Sequence, residues 1–423
     1  MSKLVINGGY PLCGVVRIQG AKNSVLPIMA AALLAEDECV IENVPDISDL
    51  HSAIEILSAL GAQTTLYENK IVIDSRYAKG FEIPDTLMRK MRSSIMFLGA
   101  ILSVSKRAKV SFPGGCEIGN RPIDLHISAL KKMNVTIHDT FGYIDCETKG
   151  LLGANITLSF PSVGATENIM LAAVKADGVT VINNAAKEPE ITDLQDFLNV
   201  MGGRVSGAGT SVITISGVKR LHGARYKIIP DRIVASTYLC AVAATRGNAL
   251  FKNVDTQHLS VVLSLLRDAG CKIDEYHDSV SIECDKINHV DTVNLIRTMP
   301  YPGFPTDAGP PFVSLMALAT GSTVFVETIF ENRFKYIGEL LRMGANIKVE
   351  GRVAVVEGVN RLYGTSVEAY DLRGGAALCV AGLAAEGETE ILNAGYIERG
   401  YEHIDRDLQE LGGKIELIDG GLQ

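Results

Sequence analysis

One turn pattern recurs six times along the chain, and its spacing constrains the fold more than any other feature. Each copy is an amphipathic helix that ends at Gly or Asn before a short strand, with the turn at Gly61, Asn134, Gly202, Gly270, Gly344 and Gly412. Successive turns are 73, 68, 68, 74 and 68 residues apart, and turns three places apart are separated by 209 or 210 residues. Asn commonly replaces Gly at a left-handed helix C-cap, so residue 134 fits the pattern. The spacing predicts three repeats followed by three more.

A second helix precedes each of these units, and it is apolar nearly all the way round. The six segments are KNSVLPIMAAALLA, SSIMFLGAILSV, ATENIMLAAVKA, DRIVASTYLCAVAA, PPFVSLMALAT and GGAALCVAGLAA. A helix without a polar face is normally buried on all sides. We therefore predict an α/β fold of two similar inside-out, barrel-like domains, each with three repeats, buried central helices and outer sheets.

Composition and charge argue against several classes of protein. A chain of 423 residues that is 47% hydrophobic is long enough and apolar enough to bury two or three cores. The net charge of −9 and the absence of Trp argue against a nucleic-acid groove, which needs clustered Lys and Arg. No stretch approaches the roughly 18 apolar residues of a membrane span, and the first residues lack the regions of a signal peptide, so we expect a cytoplasmic protein without a membrane partner. The eight cysteines are scattered without a CxxC pair, which indicates neither a zinc site nor a disulfide framework, and no metal or cofactor is predicted.

Basic residues collect where helices are predicted to begin, although a cation there opposes the helix macrodipole by about 0.3–1 kcal/mol. The seven are Lys22, Arg92, Arg121, Arg232, Arg333, Arg373 and Arg399. Any one of them could be a surface charge, or the partner of a nearby acid such as Glu331, Glu398 or Asp231. Seven together indicate an anion site, because free N–H groups and guanidinium groups both suit phosphate and carboxylate.

The stretch FPGGCEIGNRPIDLH, residues 112–126, places Cys116 in a loop that is longer than its equivalents in the other repeats. Three glycines in this loop permit unusual backbone angles, as expected of a movable lid; they are Gly114, Gly115 and Gly119. The nearby Arg121 would favour the ionised thiol, so Cys116 is a candidate proton donor or nucleophile. The alternative is an exposed loop cysteine without a role.

Asp307, in YPGFPTDAGPPF, is the one carboxylate predicted beside these cationic helix starts. Its position just before a helix is also typical of a capping residue, and the spacing alone favours that interpretation. As a functional group it could take a proton from a substrate hydroxyl. His126 and Glu190 are weaker candidates, and His126 is expected to be a helix residue with a packing or hydrogen-bonding role.

Several of these stretches together resemble the UDP-N-acetylglucosamine enolpyruvyl transferases. They are GAKNSVLP, PGGCEIGNRPIDLH, PSVGATEN, PDRI, YPGFPTD, IFENRF, DLR and IERGYEHID. The resemblance runs from the first strand to the last repeat. It implies a first domain at residues 22–230 that carries the Cys116 loop and a second at residues 1–21 and 231–423, with the active site in the cleft between them. It also implies the first committed step of peptidoglycan synthesis, in which the enolpyruvyl group of phosphoenolpyruvate passes to the sugar 3′-hydroxyl and phosphate leaves.

The resemblance assigns catalytic roles to residues of this sequence. Cys116 would protonate the methylene carbon of phosphoenolpyruvate, could form a covalent adduct, and would be the target of the epoxide fosfomycin. Asp307 would draw the proton from the 3′-hydroxyl, and Asn23 would hydrogen-bond the intermediate. Lys22, Arg121 and Arg399 would clamp the phosphate and carboxylate.

Binding roles follow from the same resemblance. The nucleotide sugar would be held by Arg92, Arg121, Pro122, Ile123, Asp124, Leu125, Ser162, Val163, Gly164, Asp307 and Ile329. Supporting positions are Arg232, Arg333 and Arg373. One departure lies beside the expected base, where Gly309 stands in TDAGPPF in place of the family's usual Gln.

Three alternatives stay open on the sequence. A shikimate 3-phosphate enolpyruvyl transferase would share the fold, but its reaction needs no cysteine lid. A DNA sliding clamp would also have six repeated units, but its central helices should carry Lys and Arg, and these are apolar. A catalytically silent paralogue that binds nucleotide sugar is the alternative that the sequence excludes least well.

Overall fold

The computed structural model describes residues 2–114, 118–119, 123–140, 142–286 and 289–418. The described chain forms two compact units. The N-terminal unit contains residues 20–114, 123–140 and 142–229, and the C-terminal unit contains residues 2–19, 118–119, 230–286 and 289–418.

Two strands precede the first helix, and both belong to the C-terminal unit: β1 (Lys3–Asn7) and β2 (Cys13–Arg17). The N-terminal unit then runs through α1 (Lys22–Ala32), β3 (Glu38–Glu42), α2 (Ser48–Ala59), β4 (Gln63–Tyr67), β5 (Lys70–Asp74), α3 (Asp85–Met88), α4 (Phe97–Ser105), β6 (Arg107–Ser111), α5 (Asp124–Lys132), β7 (Thr136–Thr140), β8 (Tyr143–Glu147), β9 (Asn155–Thr157), α6 (Val163–Ala173), β10 (Val179–Asn183), α7 (Pro189–Val200), β11 (Val205–Ser206), β12 (Val212–Ser216) and β13 (Arg225–Lys227).

The C-terminal unit continues the same alternation through α8 (Arg232–Ala244), β14 (Asn248–Lys252), α9 (Ser260–Asp268), β15 (Lys272–Glu275), β16 (Ser279–Glu283), β17 (Leu295–Arg297), α10 (Gly309–Met316), β18 (Ser322–Val326), α11 (Ile337–Arg342), β19 (Asn346–Glu350), β20 (Val353–Glu357), β21 (Ser366–Glu368), α12 (Leu372–Ala384), β22 (Glu388–Leu392), α13 (Ile404–Glu410) and β23 (Lys414–Ile418). Short 3₁₀ helices lie at Leu33–Ala35, Arg92–Met96, Thr256–Leu259, Thr306–Ala308 and Ala394–Tyr396.

Each described repeat contributes one small sheet to its unit. The N-terminal unit has the strand orders β13-β3-β5-β4, β6-β8-β7 and β11-β12-β10-β9. The C-terminal unit has the orders β15-β16-β14-β2, β17-β18-β20-β19 and β21-β22-β1-β23. In the last of these, β1 takes the place that β20 has in the preceding sheet, and it pairs antiparallel with β22 and β23. The start of the chain thus completes the sixth repeat.

The apolar helices form the centre of each unit, and the prediction of an inside-out α/β fold is confirmed. Helices α1, α4 and α6 pack together in the N-terminal unit, and α8, α10 and α12 pack together in the C-terminal unit. Every residue of α8 and α10 is buried. A helix surrounded by protein on all sides needs no polar face, which explains the apolar segments of the sequence.

The six turn positions all adopt the backbone conformation that the repeat predicted. Their φ angles are positive, between 70° and 95°, at Gly61, Asn134, Gly202, Gly270, Gly344 and Gly412. Because L-residues other than Asn and Gly rarely adopt positive φ, this conformation accounts for the restricted choice of residue.

Six of the seven cysteines in the described ranges are buried, Cys13 is exposed, and none of the seven is in a disulfide. Among the helices that the structure describes, none is both long and apolar enough to span a bilayer.

Candidate active site

The first buried helix begins with a lysine whose ammonium group is almost fully covered. Lys22 is the first residue of α1, is 8% exposed, and places its Nζ atom 2.8 Å from Oδ2 of Asp49 in the first turn of α2. The carboxylate offsets the repulsion between a cation and the positive end of a helix dipole. The neighbouring Asn23 is half-buried at the same helix start.

A buried carboxyl group holds the start of α1 against the end of the N-terminal unit. Asp193, on α7, accepts hydrogen bonds from the Ser24 hydroxyl, from the Tyr226 hydroxyl at 2.6 Å and from Ile229 N at 3.3 Å. Burial raises the pKa of Asp193 to about 6. The helix that carries Lys22 and Asn23 is therefore fixed by polar contacts as well as by packing.

The cysteine loop is described only at its two ends and at two central residues. Cys116, Arg121 and Pro122 lie outside the described residues. Near the loop's start, Arg92 donates from Nη1 to the carbonyl oxygen of Pro113 at 3.5 Å.

Two glycines of this loop have local structural reasons, a close approach of the backbone at Gly114 and a positive φ at Gly119. A Cβ atom on Gly114 would lie 2.1 Å from the carbonyl oxygen of Arg89. Gly119 has a φ of +151°, and a Cβ atom there would lie 2.4 Å from Oε2 of Glu331. Within the C-terminal unit, Asn332 N donates to the carbonyl oxygen of Ile118 at 2.9 Å. Gly114 is therefore required by a close approach of the backbone, and Gly119 has the unusual backbone angle that the sequence analysis expected of these glycines.

The predicted nucleotide-sugar residues of the N-terminal unit lie at the starts of α5 and α6. Asp124 is the exposed first residue of α5, Leu125 follows it half-buried, and Ile123 is the buried N-cap. Ser162 is the N-cap of α6, and its hydroxyl oxygen accepts from Ala165 N at 3.3 Å; Val163 and Gly164 are the first two residues of that helix. Backbone N–H groups at such helix starts suit anionic groups.

His126 has the hydrogen-bonding role that the sequence indicated. Asn168, at the centre of the N-terminal unit, donates from Nδ2 to the Ile95 carbonyl oxygen at 3.0 Å and lies 2.9 Å from Nδ1 of His126. Its Oδ1 atom accepts from Gly99 N at 2.6 Å, so this amide group links three helical segments. Burial, and secondarily the charge of Arg92, lowers the pKa of His126 to about 4.

In the C-terminal unit, Asp307 lies between two buried arginines. Nη2 of Arg333 is 2.7 Å from Asp307 Oδ1, and Nη2 of Arg373 is 3.4 Å from Asp307 Oδ2. Arg333 also donates to the Thr306 carbonyl oxygen from Nη2 at 3.0 Å. The N-cap of α10 is Ala308, so Asp307 is not the capping residue that its spacing suggested.

Arg373 retains buried hydrogen-bond donors that the described residues do not satisfy. It is the second residue of α12 and is 3% exposed. Its Nε and Nη1 atoms have no hydrogen-bond partner in the described part of the chain. Burial works against the charge of this guanidinium, but Tyr401 and Asp307 outweigh it and raise the pKa of Arg373. A permanently charged group with free donors is suited to a phosphate or carboxylate.

The remaining predicted residues of this unit also lie near helix starts or turns. Arg232 is the buried first residue of α8, next to the N-cap Asp231, and its guanidinium lies 5.7 Å from the ring centroid of Tyr301. Arg399 is half-buried in the turn before α13. Ile329 is half-buried in the turn after β18, where its N–H donates to Glu327 Oε1 at 2.7 Å.

Comparison with known proteins identifies the family. The family described as EPSP synthase (3-phosphoshikimate 1-carboxyvinyltransferase) matches residues 6–408. A protein of Caldanaerobacter subterraneus named UDP-N-acetylglucosamine 1-carboxyvinyltransferase 2 is 54% identical, over 99% of this chain and 100% of that protein. A UDP-N-acetylglucosamine 1-carboxyvinyltransferase of Thermotoga petrophila is 46% identical, over 99% of both chains. The chain belongs to the enolpyruvyl transferase family.

Solved structures agree with this identification of an enolpyruvyl transferase. The crystal structure of the enolpyruvyl transferase NikO from Streptomyces tendae superposes with a TM-score of 0.88 at 26% identity, over 98% of each chain. EPSP synthase from Acinetobacter baumannii has a TM-score of 0.77 at 18% identity, over 99% of this chain and 100% of that chain, and supports the fold alone.

Sequence reasoning missed several acids that surround the predicted residues of this enolpyruvyl transferase. Asp49 pairs with Lys22, Asp371 caps the helix of Arg373, and Glu327 accepts hydrogen bonds near Asp307. In the sequence, Asp49 and Asp371 resemble ordinary first-turn and capping acids. Nothing in their sequence context indicates that Asp49 pairs with Lys22 or that Asp371 lies beside Arg373. Glu327 does carry a signal, because it follows β18 at the position where four other repeats have Asn after the corresponding strand.

Proposed function

We propose that this enolpyruvyl transferase moves the enolpyruvyl group of phosphoenolpyruvate to the 3′-hydroxyl of UDP-N-acetylglucosamine, with release of phosphate. The observation that carries the proposal is the arrangement of Arg333, Asp307 and Arg373, in which a carboxylate suited to accept a proton lies beside a guanidinium with unsatisfied donors. The full-length relatives at 46–54% identity support the choice of nucleotide sugar as the acceptor.

The first half of the proposed reaction is an addition. Cys116 gives its proton to the methylene carbon of phosphoenolpyruvate, which makes the neighbouring carbon electrophilic. The 3′-oxygen of the sugar forms a bond to that carbon while Asp307 accepts the hydroxyl proton. The product of this step carries both the phosphate and the sugar on one tetrahedral carbon.

The second half is an elimination. The carbon–oxygen bond to phosphate breaks, a proton passes from the new methyl group back to the Cys116 thiolate, and the double bond forms again. Cationic groups lower the barrier by stabilising the charge on the departing phosphate. Lys22, Arg121 and Arg399 are proposed for this role, with Arg232, Arg333 and Arg373 in support, and Asn23 would hydrogen-bond the intermediate.

The nucleotide sugar is proposed to contact residues at several helix starts. From the N-terminal unit these are Arg92, Arg121, Pro122, Ile123, Asp124, Leu125, Ser162, Val163 and Gly164, and from the C-terminal unit Asp307 and Ile329. The loop of Cys116 would act as a lid that excludes water once both substrates are bound.

The proposed reaction is the first committed step of peptidoglycan synthesis and would take place in the cytoplasm. Cell shape and cell division would depend on it. The Cys116 thiolate would open the epoxide ring of fosfomycin, forming a carbon–sulfur bond while the ring oxygen leaves carbon and takes up a proton.

A substitution at the proposed acid provides the test. Cys116→Ala should abolish or severely reduce turnover while leaving binding of UDP-N-acetylglucosamine nearly unchanged in calorimetry. Mass spectrometry should find a fosfomycin adduct on the wild-type chain and none on the variant. Normal turnover by Cys116→Ala would disprove the assignment of the acid.

A further inference from the structure

We propose that Glu327 is a positioning residue, which holds the segment of Asp307 and the turn of Ile329 in place relative to each other. The inference rests on the proposed function, because it assigns Glu327 a part in that reaction. Glu327 is the first residue after β18 and is only 3% exposed.

The two carboxylate oxygens of Glu327 accept hydrogen bonds from three different segments of the chain. Oε1 accepts from Ile329 N at 2.7 Å, from Phe330 N at 3.0 Å and from Thr298 Oγ1 at 3.0 Å. Oε2 accepts from Thr306 Oγ1 at 2.8 Å. One buried carboxylate thus receives four hydrogen bonds, and hydrogen bonds to an ionised acceptor are stronger than those between neutral groups.

The contact with Thr306 connects Glu327 to the proposed base, because Thr306 is its neighbour in the sequence. Thr306 directly precedes Asp307, and its carbonyl oxygen accepts from Nη2 of Arg333 at 3.0 Å. The same Nη2 atom lies 2.7 Å from Asp307 Oδ1. The side chain of Thr306 is held by Glu327 and its backbone by Arg333, so the position of Asp307 depends on both.

The other contacts fix the turn that carries Ile329. Thr298 links this turn to the neighbouring strand, because its Oγ1 atom accepts from Thr328 N at 2.8 Å while lying within hydrogen-bond distance of Glu327. The Thr328 hydroxyl in turn donates to the Thr298 carbonyl oxygen at 2.6 Å. Ile329 is proposed to contact the nucleotide sugar, so Glu327 connects a sugar-binding turn with the segment of the base.

The repeat shows that a structural role alone does not require Glu at this position. The residue after the corresponding strand is Asn in four other repeats, namely Asn43, Asn184, Asn253 and Asn393. Each of these has a positive φ, and its side-chain amide donates to the adjacent edge strand or to the residue next to it. Glu327 replaces this donor by an acceptor, and it does so in the repeat that contains Asp307 and Ile329.

Three variants and a matched control test the inference on the full-length protein. Glu327→Ala removes all four contacts, Thr306→Val removes only the one that leads to Asp307, and Glu327→Gln keeps the shape without the charge. The control is Thr323→Val, since Thr323 lies on the same strand, is fully buried, and has an Oγ1 atom without a partner in the described residues. Steady-state kinetics with phosphoenolpyruvate and UDP-N-acetylglucosamine, and the melting temperature, are measured for each.

We expect a loss of rate that the control does not show. Displacement of a catalytic group by about 1 Å can cost on the order of 10²-fold in rate, so kcat of Glu327→Ala should fall about 10- to 100-fold. Thr306→Val should lower kcat by a smaller factor with unchanged KM for both substrates, and Glu327→Gln should recover part of the rate. Thr323→Val should match the wild type. In an Asp307→Ala background, Glu327→Ala should cause little further loss, because the two residues act through the same step.

The outcomes separate this inference from the function on which it rests. If the wild type turns over and Thr306→Val and Glu327→Gln keep its kcat and both KM values, whatever their melting temperatures, Glu327 is a structural residue and the inference is wrong. Because these two changes are mild, this result does not depend on whether Glu327→Ala folds. If the wild type itself does not turn over with UDP-N-acetylglucosamine, the proposed function fails and the inference fails with it.

Discussion

Arg333 and Asp307 form a direct ion pair, with Nη2 of the arginine 2.7 Å from Oδ1 of the carboxylate. The guanidinium is buried, whereas the Asp307 side chain is 28% exposed. Burial opposes the charge of Arg333, but the charges of Asp307 and Asp371 outweigh burial and raise the pKa of Arg333. The Arg333 guanidinium therefore stays charged. A partly exposed carboxylate that is oriented by a buried cation is well placed to receive a proton from a bound hydroxyl group.

Replacement of Asp307 should reduce the rate much more than substrate affinity. General-base catalysis contributes about 10²- to 10⁴-fold, so kcat of Asp307→Asn should fall by a factor in this range. Asn keeps the size of the side chain and can still accept from Arg333, so the KM values should change only slightly. Steady-state kinetics with both substrates checks this result. An unaltered kcat would mean that Asp307 only pairs with arginine.

Replacement of Arg373 should weaken binding of phosphoenolpyruvate. Lys at this position keeps the charge but loses the Nε and Nη1 donors that are unsatisfied among the described residues. A hydrogen bond to a charged group contributes about 1.5–3 kcal/mol, so the KM for phosphoenolpyruvate should rise roughly 10- to 100-fold. The control is Arg361→Lys, because Arg361 pairs with Glu386 at the surface and is 55% exposed. Equal KM values for Arg373→Lys and the wild type would rule out this role for the free donors.

Gly309, the departure from the family pattern, should tolerate a side chain. A Cβ atom built there has no heavy atom within 4 Å, and its φ of −54° is helical. Where the native backbone conformation suits Ala, replacing Gly by Ala stabilises a protein by about 0.4–1 kcal/mol, so Gly309→Ala should raise the free energy of unfolding by a similar amount and leave kcat unchanged. Denaturant unfolding with a kinetic assay measures both quantities. A destabilised Gly309→Ala protein would show that the backbone needs glycine here.

The fold was predictable because it is repeated. Six copies of one helix, turn and strand pattern fixed the number of units, and the positive φ at Gly61 and Asn134 required the residue types that marked the turns. The helices that are apolar on all sides could be assigned to the centre of each unit, because only the protein interior shields every side of such a helix from water.

The candidate site was predictable only as separate residues. Lys22 and Arg373 attract attention because a cation at a helix start is unfavourable unless something compensates it, and Asp307 because it is a carboxylate predicted beside such starts. The contacts of Lys22 with Asp49 and of Asp307 with Arg333 depend on how the two helices of one repeat pack. The contact of Asp307 with Arg373 depends on how two neighbouring repeats pack, and sequence spacing encodes neither arrangement. Asp307 shows the limit most clearly, since its spacing favoured a cap and the structure places it beside two arginines.

His126 should make stability depend on pH between about 4 and 6.5. Its pKa is lowered to about 4 in the folded protein by burial, so the unfolded chain binds more protons in this range. Stability should therefore fall as the pH drops from 6.5 to 4, by up to about 3 kcal/mol from this residue. His126→Asn keeps a side-chain acceptor for Asn168 and does not titrate. The difference in melting temperature between the two proteins should shift in favour of the variant as pH falls, and a constant difference would contradict this assignment.

The most direct test of the proposed function is phosphate release from phosphoenolpyruvate in three parallel reactions. One contains UDP-N-acetylglucosamine, one contains shikimate 3-phosphate, and one contains neither acceptor. We predict release only in the first, with the enolpyruvyl nucleotide sugar detected by mass spectrometry. Release only with shikimate 3-phosphate, or with no acceptor present, would contradict the proposed reaction, and no release in any of the three would identify a catalytically silent member of the family.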